Sequence, residues 1–250
     1  MRRLFLSAVA ALLSLPAFAQ QGSVLRIGMA EDTDVMDPTL SRTYVGRIMF
    51  ASLCDKLVDI NEKLEIVPQL ATSYEWPDNK TLLLHLRQGV KFHDGTTMDA
   101  AAVQYSLERH LHTEGSTRRG ELASMDHAEV VDPATVRIVL KSPSSPFLAQ
   151  LADRSGMIVS PKAAEAEGKD FALHPVCAGP YSFVERVPQD HVTLQRFPDY
   201  WDAGKIKIDR IIYRPIPDNT VRVANIQAGV LDMTVENVPS DLETLKHGPS

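Results

Sequence analysis

Apolar and polar residues recur along this chain in two rhythms, one of period two and one of helical spacing. Leu25, Ile27 and Met29 alternate with Arg26 and Gly28, so Val24–Met29 reads as an opening strand. The polar stretch 30–41 should be loop, because the residue before a proline, here Asp37 before Pro38, is pushed out of the helical region. Ile48, Met49, Ser52 and Leu53 then fall at helical spacing and predict a helix over about 45–55. Strands at 73–76 and 81–87 flank Pro77, Asp78 and Asn79, whose turn chemistry makes them a hairpin. A short strand at 90–92 precedes the turn His93, Asp94, Gly95, Thr96. Asp99 stands at the N-cap of a helix to about His110, with Ala100, Val103 and Leu107 on one face.

The later half repeats this grammar. Residues 136–140 alternate after the Asp132, Pro133 turn, and strands are expected at 181–185, 191–195 and 208–214. Asp218 caps a further helix that Gly229 ends. Strand and helix mix without a strict βαβ rhythm, which predicts an α/β (mixed α+β) fold with mixed sheets. Ser240 with Glu243 announces one more helix, yet the sequence stops at Ser250, and the chain is read as cut short.

The first residues change the picture of where the protein works. Arg2 and Arg3, an apolar run from Leu4 to Leu15, and the small-x-small trio Ala17, Phe18, Ala19 make 1–19 a cleavable signal peptide, so a periplasmic product is expected. About a dozen apolar residues fall short of the ~20 that span a bilayer. Gln20 follows the cleavage site where a lipid-bearing cysteine would stand, which predicts a freely diffusing protein. The net charge is −6, and two units more negative once the signal arginines are removed, an acidic balance that argues against nucleic-acid partners. Cys54 and Cys177 meet an oxidising compartment, so a disulfide and two buried thiols both remain open.

The run Leu86, Arg87, Gln88, Gly89, Val90, Lys91, Phe92, His93, Asp94, Gly95 resembles the signature of the family 5 extracellular solute-binding proteins, the peptide, nickel and glutathione receptors of ABC importers. Pro68 to Glu75 upstream and Ser106 to Arg109 downstream are similar to that family, as are Gly179, Pro180, Tyr181, the block Pro198, Asp199, Tyr200, Trp201, and Pro217, Asp218 with Arg222, Gln227 and Gly229. These blocks stand in the family's order over nearly all of 24–240. The resemblance implies a periplasmic binding protein type 2-like fold of two lobes with mixed sheets, here incomplete at the C-terminus, with 20–250 supplying the first lobe and the start of the second. It implies capture of a peptide-like solute, or alternatively a nickel chelate or glutathione, for ABC permease subunits, by a monomer without catalysis, cofactor or metal. The sequence departs from the family at Ala102, where an aspartate is common, at Cys177 and Ala178, which replace the usual glycine and threonine before Gly179, and most of all in length, about half that of family members.

Binding residues favour loops held on a rigid scaffold, and the resemblance implies that 31–40 and 43–47 line the ligand cleft. Met36, Tyr44 and Arg47 are the candidate ligand-binding residues, with Tyr44 stacking and Arg47 answering a carboxylate. Gly179, Pro180 and Tyr181 are expected to set backbone direction where strands cross between lobes. His93 with Asp94 reads as turn chemistry instead of a catalytic pair. His110 and His112 are two apart, a spacing that does not suit helical metal ligands. A secreted hydrolase is the competing class, and the chain carries neither Gly-x-Ser-x-Gly nor His-Glu-x-x-His.

Overall fold

A computed structural model describes residues 22–235 together with Pro239; the signal segment 1–19 and the helix expected after Ser240 lie outside the described residues. Strand β1 (Val24–Met29) forms where Leu25, Ile27 and Met29 alternate with Arg26 and Gly28. Helix α1 (Tyr44–Leu53) starts at Thr43, whose hydroxyl accepts the Gly46 amide, and turns Val45, Met49, Phe50 and Leu53 inward. The chain then builds a second unit. A small hairpin of β2 (Val58–Ile60) and β3 (Ile66–Pro68) leads into β4 (Ala71–Glu75) and β5 (Thr81–Leu86). Helix α2 (Ala100–His112), capped by the Asp99 carboxylate on the Ala102 amide, precedes β6 (Met125–Asp132) and β7 (Thr135–Leu140). Two short helices, α3 (Phe147–Gln150) and α4 (Pro161–Glu167), bring the chain back. It ends in β8 (Tyr181–Val187), β9 (His191–Arg196), β10 (Arg210–Pro215), α5 (Asn219–Gln227) and β11 (Met233–Thr234).

These strands make two main sheets. The five-stranded sheet runs β11-β1-β10-β9-β8, with β1 parallel to both its neighbours and the other pairs antiparallel, so it is mixed. The four-stranded sheet β4-β5-β7-β6 is antiparallel throughout. Each has its own core. Leu82, Leu84 and Leu86 of β5 and Val136, Ile138 and Leu140 of β7 share one face, against which α2 lays Val103, Leu107 and Leu111. Ile27, Met29, Val192, Leu194, Ile211 and Tyr213 of the five-stranded sheet bury the inner face of α1. Each such side chain contributes roughly 1.5–3 kcal/mol by leaving water.

Several elements differ from the sequence pattern, among them β2, β3, α3 and α4, which it did not predict. The strand expected at 90–92 does not form. Gly89 (φ 76°) and Gly95 (φ 80°) turn the chain through the left-handed region on either side, and only the isolated bridge between Lys91 and Thr97 remains. Conversely β6 has no clean alternation, because register shifts at Met125/His127 and Val130/Asp132 interrupt it.

The second unit is an insertion between α1 and β8, so the chain must leave and re-enter the first unit. The two passages run side by side. The Gly179 amide donates to the Leu53 carbonyl (3.1 Å), Leu57 N–H to the Gly156 carbonyl (2.9 Å), and Val159 bridges Cys177. A Cβ on Gly179 would stand 2.4 Å from the Leu53 carbonyl oxygen, which explains the glycine there. Cys54 and Cys177 form a disulfide across the passages, with Cα atoms 4.9 Å apart, which resolves the alternative left open by sequence. Gly179, Pro180 and Tyr181 thus lie at the joint between the two sheet units.

Buried polar groups complete the joint. Asp55 accepts from Trp201 Nε1 (2.7 Å), Tyr200 Oη (3.0 Å) and Gln69 Nε2 (3.2 Å), and Arg87 stacks over the Trp201 ring at 3.8 Å. Burial pushes the Asp55 carboxyl up to about 6 against those hydrogen bonds. His93 donates from Nε2 to the Gly179 carbonyl (3.0 Å) and packs edge-on against Phe197, while its neighbour Asp94 accepts from the Thr96 amide. The turn reading of this pair is what the geometry displays.

Closing a loop over 123 residues removes about 5 kcal/mol of chain entropy from the unfolded state. The double variant Cys54→Ser with Cys177→Ser is therefore expected to lose several kcal/mol of unfolding free energy in denaturant titrations of oxidised protein, and a loss below about 1 kcal/mol would refute this role for the crosslink.

Candidate functional site

The loop between β1 and α1 is irregular yet largely buried, so its polar groups need partners. Two aspartates organise it from within. Asp34 accepts from the Arg42 amide (2.7 Å), the Val35 amide (2.9 Å), and the hydroxyls of Ser41 (2.9 Å) and Thr43 (3.2 Å). Burial raises its proton affinity, but these hydrogen bonds win and hold the carboxyl below its ordinary value. Asp37 accepts from the Thr39 amide and makes a two-pronged ion pair with Arg109 of α2, at 2.9 and 2.6 Å.

The inserted unit then grips the loop's outward groups. Thr117 donates from both its amide and its hydroxyl to the Thr39 carbonyl. Arg118 and Arg154 both donate to the Ser41 carbonyl at 3.1 Å, and Arg154 reaches the Thr43 carbonyl as well, at 3.1 Å. His110, fully buried, accepts from the Thr39 hydroxyl at Nδ1 (2.8 Å) and donates from Nε2 to the Met157 carbonyl (2.9 Å). From the five-stranded sheet, Arg186 holds Asp32 (3.0 Å) and the Thr33 carbonyl.

This clamp decides where the candidate residues stand. Met36 is 1% exposed and packs in the core under α1, because the Asp37 ion pair pins the following turn inward; it does not reach the surface expected of a ligand-binding residue. Tyr44 (53% exposed) and Arg47 lie one helical turn apart on the outer face of α1. They line a cavity of about 260 Å³ shared with Ile48 and Ala51 of the same helix. Lys56 and Asp59, paired at 2.5 Å, and Asp153, paired with Arg47 at 2.9 Å, form its other walls. An aromatic ring, an apolar floor and two ion pairs suit a small, polar, partly apolar solute.

Of the candidate residues, Tyr44 and Arg47 line this cavity, and sequence reasoning did not single out Lys56, Asp59 and Asp153 beside them or Arg118 and Arg154 on the loop. None of these belongs to a motif, and only the folding of the inserted unit onto α1 brings them to this place. His110 and His112 point apart: the first is buried on the loop, the second is exposed beside Glu108. Among the described residues no group of three or more His, Cys, Asp or Glu is placed to hold a metal ion.

Residues 65–250 match the family model described as bacterial extracellular solute-binding proteins, family 5 Middle. The chain belongs to this family. Among curated family 5 relatives, the glutathione-binding protein GsiB of Pectobacterium atrosepticum is 35% identical over 222 residues, 88% of this chain but 43% of the relative. The chain thus spans less than half the length of the curated relatives it matches. Of solved structures, the binding protein AgaA of A. tumefaciens R10 in complex with agropinic acid superposes with a TM-score of 0.85 at 32% identity, covering 90% of this chain and 46% of that one. DppA of Helicobacter pylori in complex with the peptide STSA superposes at 0.83 with 27% identity, covering 91% and 49%. The two-sheet arrangement described above is accordingly the fold of family 5 binding proteins, as far as this chain reaches.

The two buried imidazoles make the folded state sensitive to acid. Burial pushes His93 and His110 down to about 4 from an ordinary 6.5, so the unfolded chain is the stronger proton binder between those values and stability is lost as pH falls through that window. Asp55 acts in the opposite sense, because its folded value near 6 lies above the unfolded 3.8 and the folded state gains stability over that range. The two histidines outweigh the single carboxyl. Unfolding free energy measured in urea is expected to drop by a few kcal/mol, on the order of 1.4 kcal/mol per net proton and pH unit, from pH 7 to pH 4 through these groups, and a flat profile would contradict the assignment.

Proposed function

We propose that this chain is the solute-capturing part of an ABC importer in the periplasm, taking up a peptide-like solute and releasing it unchanged to permease subunits. The observation that carries the reading is the placement of Tyr44 and Arg47 on the wall of one cavity, on a helix whose preceding loop is fixed from both units. A preset wall of this kind loses little conformational freedom when a solute arrives. Tyr44 supplies a broad face for stacking and Arg47 a fork of donors for a carboxylate. Met36 supports the loop from beneath.

Residues 1–19 act in this reading as a signal peptide removed after Ala19, and 20–250 as the N-terminal portion of a two-lobed receptor, comprising the first lobe and the start of the second. The protein works as a monomer and performs no chemistry on its cargo. Glutathione, named for the GsiB relatives, is a tripeptide and falls within the same solute class.

Ligand that binds only the folded state stabilises it by about 2.7 kcal/mol at a hundredfold excess over Kd. Screening di- and tripeptides, glutathione and nickel chelates against the purified protein is expected to raise the melting temperature with a peptide-like member and to leave that member chemically intact by mass spectrometry. Tyr44→Ala is expected to weaken its Kd about tenfold. A panel without a single shift, or turnover of the solute, would remove the proposal.

A further inference from the structure

The stretch Ser41–Arg47 has an unusual charge environment. Four guanidiniums surround it: Arg42 and Arg47 within the stretch, Arg118 and Arg154 donating to its carbonyls. Three carboxylates face them, two of them ion-paired with Arg47 and Arg118, so the stretch keeps one guanidinium in excess. Asp34 uses its oxygens on backbone amides and hydroxyls of the loop. Glu121 divides its oxygens between Arg118 and the Ser155 hydroxyl. Asp153 pairs with Arg47 at 2.9 Å and takes the Arg154 amide at 2.7 Å.

Arg154 shows the consequence. It is 9% exposed, its Nε donates no hydrogen bond, and Asp153 lies 3.8 Å from that atom. Two guanidiniums meet on the single Ser41 oxygen, a buried like-charge contact with a real energetic cost. Helix α1 adds to the field, since its first turn carries no acid and presents a positive dipole end at the same point. All this positive charge stands on a protein whose net charge is −6.

We infer that the Ser41–Arg47 stretch is a carboxylate-receiving site, so that the protein selects small solutes in which carboxylates outnumber ammonium groups. The exposed donors are those of Arg42 and Arg47. Arg42 makes no ion pair among the described residues, and Arg47 shares Asp153 with Arg154 and lines the cavity. Arg118 and Arg154 are positioning residues: buried, they fix the Ser41 and Thr43 carbonyls and raise the local potential without touching the solute. An arriving carboxylate would supply the negative charge that the three protein carboxylates leave uncompensated. The inference rests on the peptide-like reading above and sharpens it from solute shape to solute charge.

The test uses a matched set in calorimetry on the purified protein: glutathione, with two carboxylates and one ammonium; its diethyl ester, with no carboxylate; and trialanine, with one of each. Glutathione is expected to bind at least tenfold tighter than its ester, with an affinity that falls as salt is raised from 50 to about 500 mM. Arg42→Gln, an exposed change that leaves the folded core untouched, and Arg47→Gln are expected to shrink the acid-to-ester ratio severalfold. Arg154→Gln is expected to shrink the ratio in the same way while Arg154→Lys partly restores it, which a purely structural role would not do. An ester that binds as tightly as the acid overturns the inference and leaves the peptide-like reading standing. Failure of all three compounds to bind overturns both.

Discussion

An irregular segment buried between two sheets must have its amides and carbonyls satisfied, and that constraint governs this molecule. The loop from Asp32 to Thr43 cannot meet it alone. Asp34 and Asp37 satisfy its amides, while Arg109, Thr117, Arg118, Arg154 and Arg186, supplied by elements far away in sequence, satisfy its side chains and carbonyls. Holding the loop therefore requires the inserted unit to be seated on the first, and seating the unit requires the paired passages at Leu53–Cys54 and Cys177–Gly179. The disulfide, the Gly179 contact and the buried Asp55 network all serve that seating. The geometry of Tyr44 and Arg47 is the last link in the chain of dependence.

Much of this was legible in the residues. Strand β1, helix α1 from its Met49 and Leu53 spacing, the Asp99 cap and the Asp218 cap each follow from a local rule that no distant contact overrides. The family blocks extended that reading to an α/β fold of several sheets, of which the five-stranded one is mixed and the four-stranded one antiparallel. Positions decided by distant contacts were opaque. Nothing near Met36 states that Arg109, seventy-odd residues on, will fold it inward, and nothing near Arg154 states that its partners are the carbonyls of Ser41 and Thr43. The order of β4-β5-β7-β6, with β6 at an edge and interrupted by bulges, is likewise a property of pairing and not of any window of sequence.

The same constraint explains why the site mixes strain with rigidity. Two guanidiniums on one carbonyl oxygen would be a poor choice for stability alone, since apolar packing of the same volume would cost less. In the carboxylate site inferred above, they would turn that local electrostatic cost into attraction for an anionic group. Rigidity matters as much as charge, because a donor fork that is already oriented loses less entropy on binding than one that must be ordered by the solute.

Amide hydrogen exchange over the loop measures this dependence directly. The amides of Val35, Thr39, Leu40, Ser41 and Arg42 all have acceptors within the fold. They are expected to exchange as slowly as those of β1 and to lose that protection selectively in Arg109→Gln, with β1 unchanged. Exchange of these five amides at the rate of an unstructured peptide in the unmutated protein would contradict the account.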